Sequence, residues 1–148
     1  SVTDTTLAWV TDQLKGHEGF RSKPYRDTVG KLTIGYGRNL DDVGITRAEG
    51  GFLLDNDVAK ALVEVKNIDG FHLLSEARQA CLLNMAFNMG IGGLLKFKNM
   101  LAARERGDFE AAAHSMLSSL WWKQVGPNRA EALVQQMRTG EFQKEPVR

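Results

Sequence analysis

The 148-residue sequence predicts an α+β fold, mainly helical, in which a small β-hairpin lobe and a larger helical lobe are joined by a long helix with a cleft between them. Three observations carry that expectation. Apolar residues recur at three- and four-residue steps along most of the chain. Strict alternation occurs in one stretch only, residues 24–37. No repeat, low-complexity tract or Pro/Gly/Ser linker divides the chain, which leaves one domain, 1–148. The β-containing lobe is expected at about residues 20–45, the helical lobe at about 1–19 and 66–148, and the connecting helix at about 46–66.

Thr3 or Asp4 caps a first helix in which Leu7, Val10 and Leu14 form a stripe whose next position is Glu18, with Gly16 and Gly19 ending it. Residues 24–37 then read as a hairpin: Asp27 and Gly30 bound the turn, and Leu32, Ile34 and Tyr36 alternate with Thr33, Gly35 and Gly37. Thr46 and Glu49 form a capping-box pattern that opens the connecting helix, which carries Leu54, Val58, Ala61, Leu62 and Val65 along one side. Residues 75–89 are apolar nearly all round, as a buried central helix must be. Three further helices are expected over 94–106, 108–120 and 129–138, the first stopped by Gly107 and the last by Gly140, for a count of about six.

Composition excludes several classes. With 43% hydrophobic and 25% charged residues, the chain is neither disordered nor fibrous. Its longest apolar runs fall far short of the roughly 20 residues of a membrane helix. Residues 1–19 lack the pattern of a secretory signal, and residues 144–148 read as a frayed tail or the start of a linker. Cys81, the only cysteine, lies among apolar neighbours and is expected in the core. The net charge of +1 hides basic ends: residues 1–38 carry +2, 39–94 carry −4 and 95–148 carry +3. That is too weak a field for a dedicated nucleic-acid binder.

Familiar sites fail on spacing. His17-Glu18 opens like a zinc-protease helix, but Arg21 stands where the second histidine belongs. Leu40 replaces the third glycine of a dinucleotide loop after Gly35 and Gly37, and Ala59 and Lys60 spoil a calcium loop at Asp55. A carboxylate constellation remains. Glu18 ends an apolar stripe, so desolvation is expected to favour its protonated form, as a general acid requires. Asp27, at a turn beside Arg26 and Lys31, is expected to stay hydrated and ionised. Thr33, on a face otherwise lined by glycine, is expected to have open space in which to hold a water. An acid opposite an activated water is the inverting arrangement for a glycosidic bond, with carboxyl groups roughly 6.5–9.5 Å apart. The same residues are equally consistent with Glu18 pairing locally and Asp27 merely making the turn.

Glu18, Asp27 nine positions on and Thr33 six further, running into Ile34-Gly35-Tyr36-Gly37, resemble in identity and spacing the catalytic acid, carboxylate and threonine of the phage-type lysozymes, glycoside hydrolase family 24. The run Asn84-Met85-Ala86-Phe87-Asn88-Met89-Gly90 is similar to that family's central-helix signature. Pro127-Asn128-Arg129 and Arg138-Thr139-Gly140 are similar to its last-helix segment. The resemblance implies a lysozyme-like fold and a muramidase cutting the β-1,4 bond between N-acetylmuramic acid and N-acetylglucosamine. It places Arg129 where the family's arginine pairs with the acid, and makes Gly35 and Tyr36 candidate substrate-binding positions, although the alternation makes core the default for Tyr36. Trp9, Trp121 and Trp122 could stack on sugars, but core is their default too.

Two departures stand out: Arg38 replaces a common histidine, and the chain is shortened between Leu40 and Ile45, which trims the β-lobe. The resemblance further implies no metal or organic cofactor, a monomer, bacterial peptidoglycan as substrate, and a holin or a larger virion protein as partner. It places the protein in the host cytoplasm before release onto periplasmic peptidoglycan, or on the virion. The rival expectations are a lytic transglycosylase and a non-catalytic wall-binding or structural phage module.

Overall fold

The structure is a computed structural model that describes residues 1–118 and 120–143. Residues 144–148, expected as a tail or linker start, and residue 119, inside the helix expected over 108–120, lie outside the described residues. The fold is α+β and mainly helical, with a three-stranded antiparallel sheet. The chain divides into two compact units, Ser1–Phe52 and Leu53–Arg148. No single described helix is long and apolar enough to cross a membrane.

The first unit begins with α1 (Asp4–Glu18), capped by the Thr3 hydroxyl accepting from the Thr6 N–H at 3.2 Å. Gly16 lies inside this helix, and Gly19 alone ends it. The sheet has three strands, β1 (Arg21–Arg26), β2 (Leu32–Gly35) and β3 (Arg38–Asn39), in the order β1-β2-β3, one more than a hairpin. Register pairs Tyr25 with Thr33 and Thr33 with Asn39. Pro24 is tolerated because β1 is an edge strand whose register is irregular between Arg21 and Tyr25. Alternation fails at the end of β2: Gly35 and Gly37 take φ of +69° and +80°, so Tyr36 leaves the face of Leu32 and Ile34 and is exposed.

The segment 40–45 is short but densely bonded. Asp41 accepts the Leu32 N–H at 2.8 Å, and Lys31 pairs with Asp42 at 3.1 Å. The α2 helix (Arg47–Val65) opens on a reciprocal capping box, Thr46 N–H to Glu49 Oε1 at 2.9 Å and Glu49 N–H to Thr46 Oγ1 at 3.1 Å. Arg38 grips the same Glu49 through both terminal nitrogens and also donates to the Gly44 carbonyl at 3.1 Å. The departure at position 38 therefore ties β3 to the first turn of α2.

In the second unit α3 (Glu76–Leu95) packs on α7 (Pro127–Thr139), α4 (Lys98–Glu105) on α5 (Phe109–Leu117), and α5 and α6 (Trp121–Val125) on α7; the all-round burial expected of residues 75–89 is not met, since Phe87 and Asn88 are exposed. Seven helices are thus described; α6 is the one the periodicity missed, because five residues are too short for an apolar stripe. Gly90 takes φ +76°, ψ +163°, a break that kinks α3. Leu82, Met85, Leu94, Met100, Met116, Leu133 and Met137 are fully buried together. Cys81 is buried as expected, its thiol donating to the Leu133 carbonyl at 3.3 Å, and burial pushes that thiol up to about 12. Arg78 donates to the carbonyls of Met137 and Arg138 at 2.8 and 3.0 Å, so α3 satisfies the open C-terminal carbonyls of α7. Of the tryptophans, Trp121 is buried and Trp122 half-buried, whereas Trp9 is exposed against its core default, because α1 buries none of its side chains.

Candidate active site

Glu18 is the last residue of α1. The helix stops there because Gly19 takes φ +70°, its N–H closing on the Lys15 carbonyl at 3.0 Å. Glu18 is exposed, which corrects the expectation of a dry acid: Leu7, Val10 and Leu14 are themselves exposed and supply no apolar wall. Its close neighbour is Gly37. A Cβ built on Gly37 would lie 2.6 Å from Glu18 Oε2 and 3.0 Å from Cδ, so the carboxyl group rests on bare backbone just past β2.

Asp27 is half-buried at the turn between β1 and β2. Its Oδ1 accepts two backbone N–H groups, from Val29 at 3.0 Å and Lys31 at 2.8 Å, as a turn-making aspartate does. Its Oδ2 makes no hydrogen bond among the described residues. One oxygen builds the turn, and the other is available. The cations expected beside Asp27 are occupied elsewhere, Arg26 with Asp41 at 3.6 Å and Lys31 with Asp42.

Thr33 is only 3% exposed, which corrects the expectation of open space around its hydroxyl. Thr33 lies on β2, the central strand, paired with Tyr25 of β1 and Asn39 of β3. The Thr33 hydroxyl donates to the Lys31 carbonyl at 2.9 Å, the same oxygen that accepts the Asp27 N–H at 2.9 Å. With Lys31 N–H on Asp27 Oδ1, one residue's peptide groups hold the carboxylate and the hydroxyl together. Because that hydroxyl spends its proton on a carbonyl, any further hydrogen bond it makes is as an acceptor.

Tyr36 stands beside Phe20, ring centroids 5.2 Å apart, with Lys15 Nζ 5.8 Å from the Tyr36 ring. Gly35 contributes no side chain, and nothing within 4 Å occupies the place of one.

Arg129 belongs to the second unit, in the first turn of α7, where its Nε and Nη2 donate to Asn84 Oδ1 of α3 at 3.1 and 2.5 Å. Beside this pair lies an open apolar pocket of about 330 Å³, lined by Leu54, Val58, Ala80, Leu83, Asn84, Phe87 and Arg129. Gly37, Asn84 and Asp41 were the contributors that spacing did not single out. The only signal for Gly37 was its place in the Gly-Tyr-Gly run; the contacts of Asn84 and Asp41 span 45 and 9 residues and leave no local trace. Among the described residues no group of three or more His, Cys, Asp or Glu is arranged to hold a metal ion.

A model of the family described as phage lysozyme matches residues 15–140. The chain is 30% identical to the pre-baseplate central spike protein Gp5 of Enterobacteria phage T4 over 90% of its own length and 28% of that protein. It is 28% identical to the probable T4-type lysozyme 1 of Dictyostelium discoideum, over 88% of its own length and 94% of that protein. It is 31% identical to a SAR-endolysin of Bacteriophage PS119, over 80% and 71% respectively. The chain thus spans little more than a quarter of the spike protein but nearly all of the Dictyostelium relative.

Proposed function

The chain belongs to the phage lysozyme family, and from that premise we propose that it is a peptidoglycan hydrolase, specifically an inverting muramidase cleaving the β-1,4 bond between N-acetylmuramic acid and N-acetylglucosamine. The observation that carries the mechanism is the shared Lys31 carbonyl, which couples Asp27 to Thr33 at one end of β2 while Gly37 holds Glu18 beyond the other. Three residue steps of about 3.3 Å, roughly 10 Å in all, separate the ends of that strand. An inverting enzyme sets its two carboxyl groups roughly 6.5–9.5 Å apart, against the roughly 5 Å of a retaining one.

Glu18 gives its proton to the leaving glycosidic oxygen. A water donates one hydrogen to Thr33 Oγ1 and the other to the free Oδ2 of Asp27, which turns its lone pair toward the anomeric carbon. Attack breaks the C–O bond, Asp27 takes the water's proton, and the new reducing end has inverted configuration. Arg129 stands where the family carries its arginine, and Asn84 holds its guanidinium within the second unit. The exposed rings of Tyr36 and Phe20 offer an apolar face to a sugar, next to Gly35, where the backbone is open to close approach. No metal or organic cofactor takes part, and the protein acts as a monomer.

Glu18→Gln is expected to keep the fold and lose wall lysis by at least about 100-fold, as removal of a general acid does. Full activity would end the assignment. Proton NMR of the first product should show the α-anomer, while an anhydro sugar in the digest would mark a transglycosylase instead. The spike-protein match favours a virion-borne lysozyme segment, and the endolysin match a free enzyme. Immunoblotting of purified particles separates the two.

A further inference from the structure

We propose that Gly37 is a positioning residue for the acid. Its bare Cα is the seat against which the Glu18 carboxyl rests, and its missing side chain sets where the proton is delivered. The proposal rests on the assignment of Glu18 as general acid. A Cβ at Gly37 would meet Oε2 at 2.6 Å, Cδ at 3.0 Å and Cγ at 3.4 Å, so three consecutive atoms of one side chain lie along this backbone position. Ordinary contact begins near 3.4 Å, and the carboxyl would have to retreat by about 0.8 Å. That retreat is easy for the fold, because the obstructed group is the free end of an exposed side chain and not backbone. It is costly for chemistry, because a misplacement of about 1 Å lowers turnover by roughly 100-fold. Position 37 is therefore a place where a methyl group disturbs the acid much more than it disturbs the protein.

Backbone strain must be separated from displacement, since Gly37 has φ +80° and any L side chain is strained there. Gly44 supplies the control. Its φ is +66°, yet a Cβ there meets nothing closer than 3.9 Å. Gly37→Ala and Gly44→Ala are compared for Tm, for kcat and KM on purified peptidoglycan, and for the titration of the Glu18 side-chain carboxyl carbon by ¹³C NMR in the whole protein. Both variants are expected to lose similar Tm. Gly37→Ala alone is expected to lose kcat by about 100-fold, with KM little changed and the Glu18 carboxyl-carbon signal displaced.

Unchanged kcat together with an unmoved Glu18 signal in Gly37→Ala overturns the proposal, as does an equal loss of kcat in Gly44→Ala. If Glu18→Gln keeps its turnover, the acid assignment falls, and the NMR arm still decides whether Gly37 positions that carboxyl.

Discussion

Asp27 shows how one side chain can satisfy two accounts at once. Its Oδ1 makes the turn by accepting from Val29 and Lys31, which is the purely structural role, and its Oδ2 makes no hydrogen bond among the described residues, which leaves it for the proposed role as base. Asp27→Asn separates the roles, because an amide oxygen still accepts both N–H groups while the base is gone. The expected outcome is a Tm within a few degrees of the parent and a kcat lower by about 100-fold or more, read by thermal melts and reducing-end assays. A turn-only role would leave kcat intact. Thr33 and Glu18 show what spacing conceals at this scale: Thr33 is buried and Glu18 exposed, the reverse of the expectation. Side-chain exposure depends on what packs alongside, and that is written in no local pattern.

Elements were legible where their ends are local. Thr3, Ser75 and Asp108 cap α1, α3 and α5 through contacts three residues away, and Gly140 closes α7 in the left-handed region. The Arg38–Glu49 clamp between β3 and α2 was not legible, since its partners stand 11 residues apart in different elements. Its electrostatics are testable. The hydrogen bonds from Arg38 hold the Glu49 carboxyl down, from the ordinary 4.5 to about 2, with the Thr46 N–H assisting. A depressed carboxylate contributes stability that is fully present above about 4.5 and lost as pH falls toward 2. Glu49→Gln should therefore lower Tm at pH 7 and flatten the fall of Tm between pH 4.5 and 2, followed by circular dichroism. An unchanged acid limb would show that the clamp contributes nothing.

For the whole molecule, folding makes two compact units, each with its own reason to hold together. The second is a helical core around Leu82, Met85 and Met116, and Cys81 sits fully buried within it. Burial withholds the thiolate that reagents attack, so Cys81 should stay unreactive to a disulfide reagent in native buffer at pH 8 and react only as fast as this unit opens. Reaction as fast as a free thiol would contradict that burial. Sequence by itself determined the fold class, most helix ends and the sheet region, because caps, turns and periodicity act over three or four residues and repeat wherever the chemistry repeats. Only the tertiary structure decided that the Glu18 carboxyl lies against Gly37, that Lys31 couples carboxylate to hydroxyl, that Asp41 and Asp42 take the cations expected at Asp27, and that Asn84 holds Arg129. Each of those depends on the folded chain bringing particular groups within a few ångströms, a condition that no residue's immediate neighbours in sequence can impose.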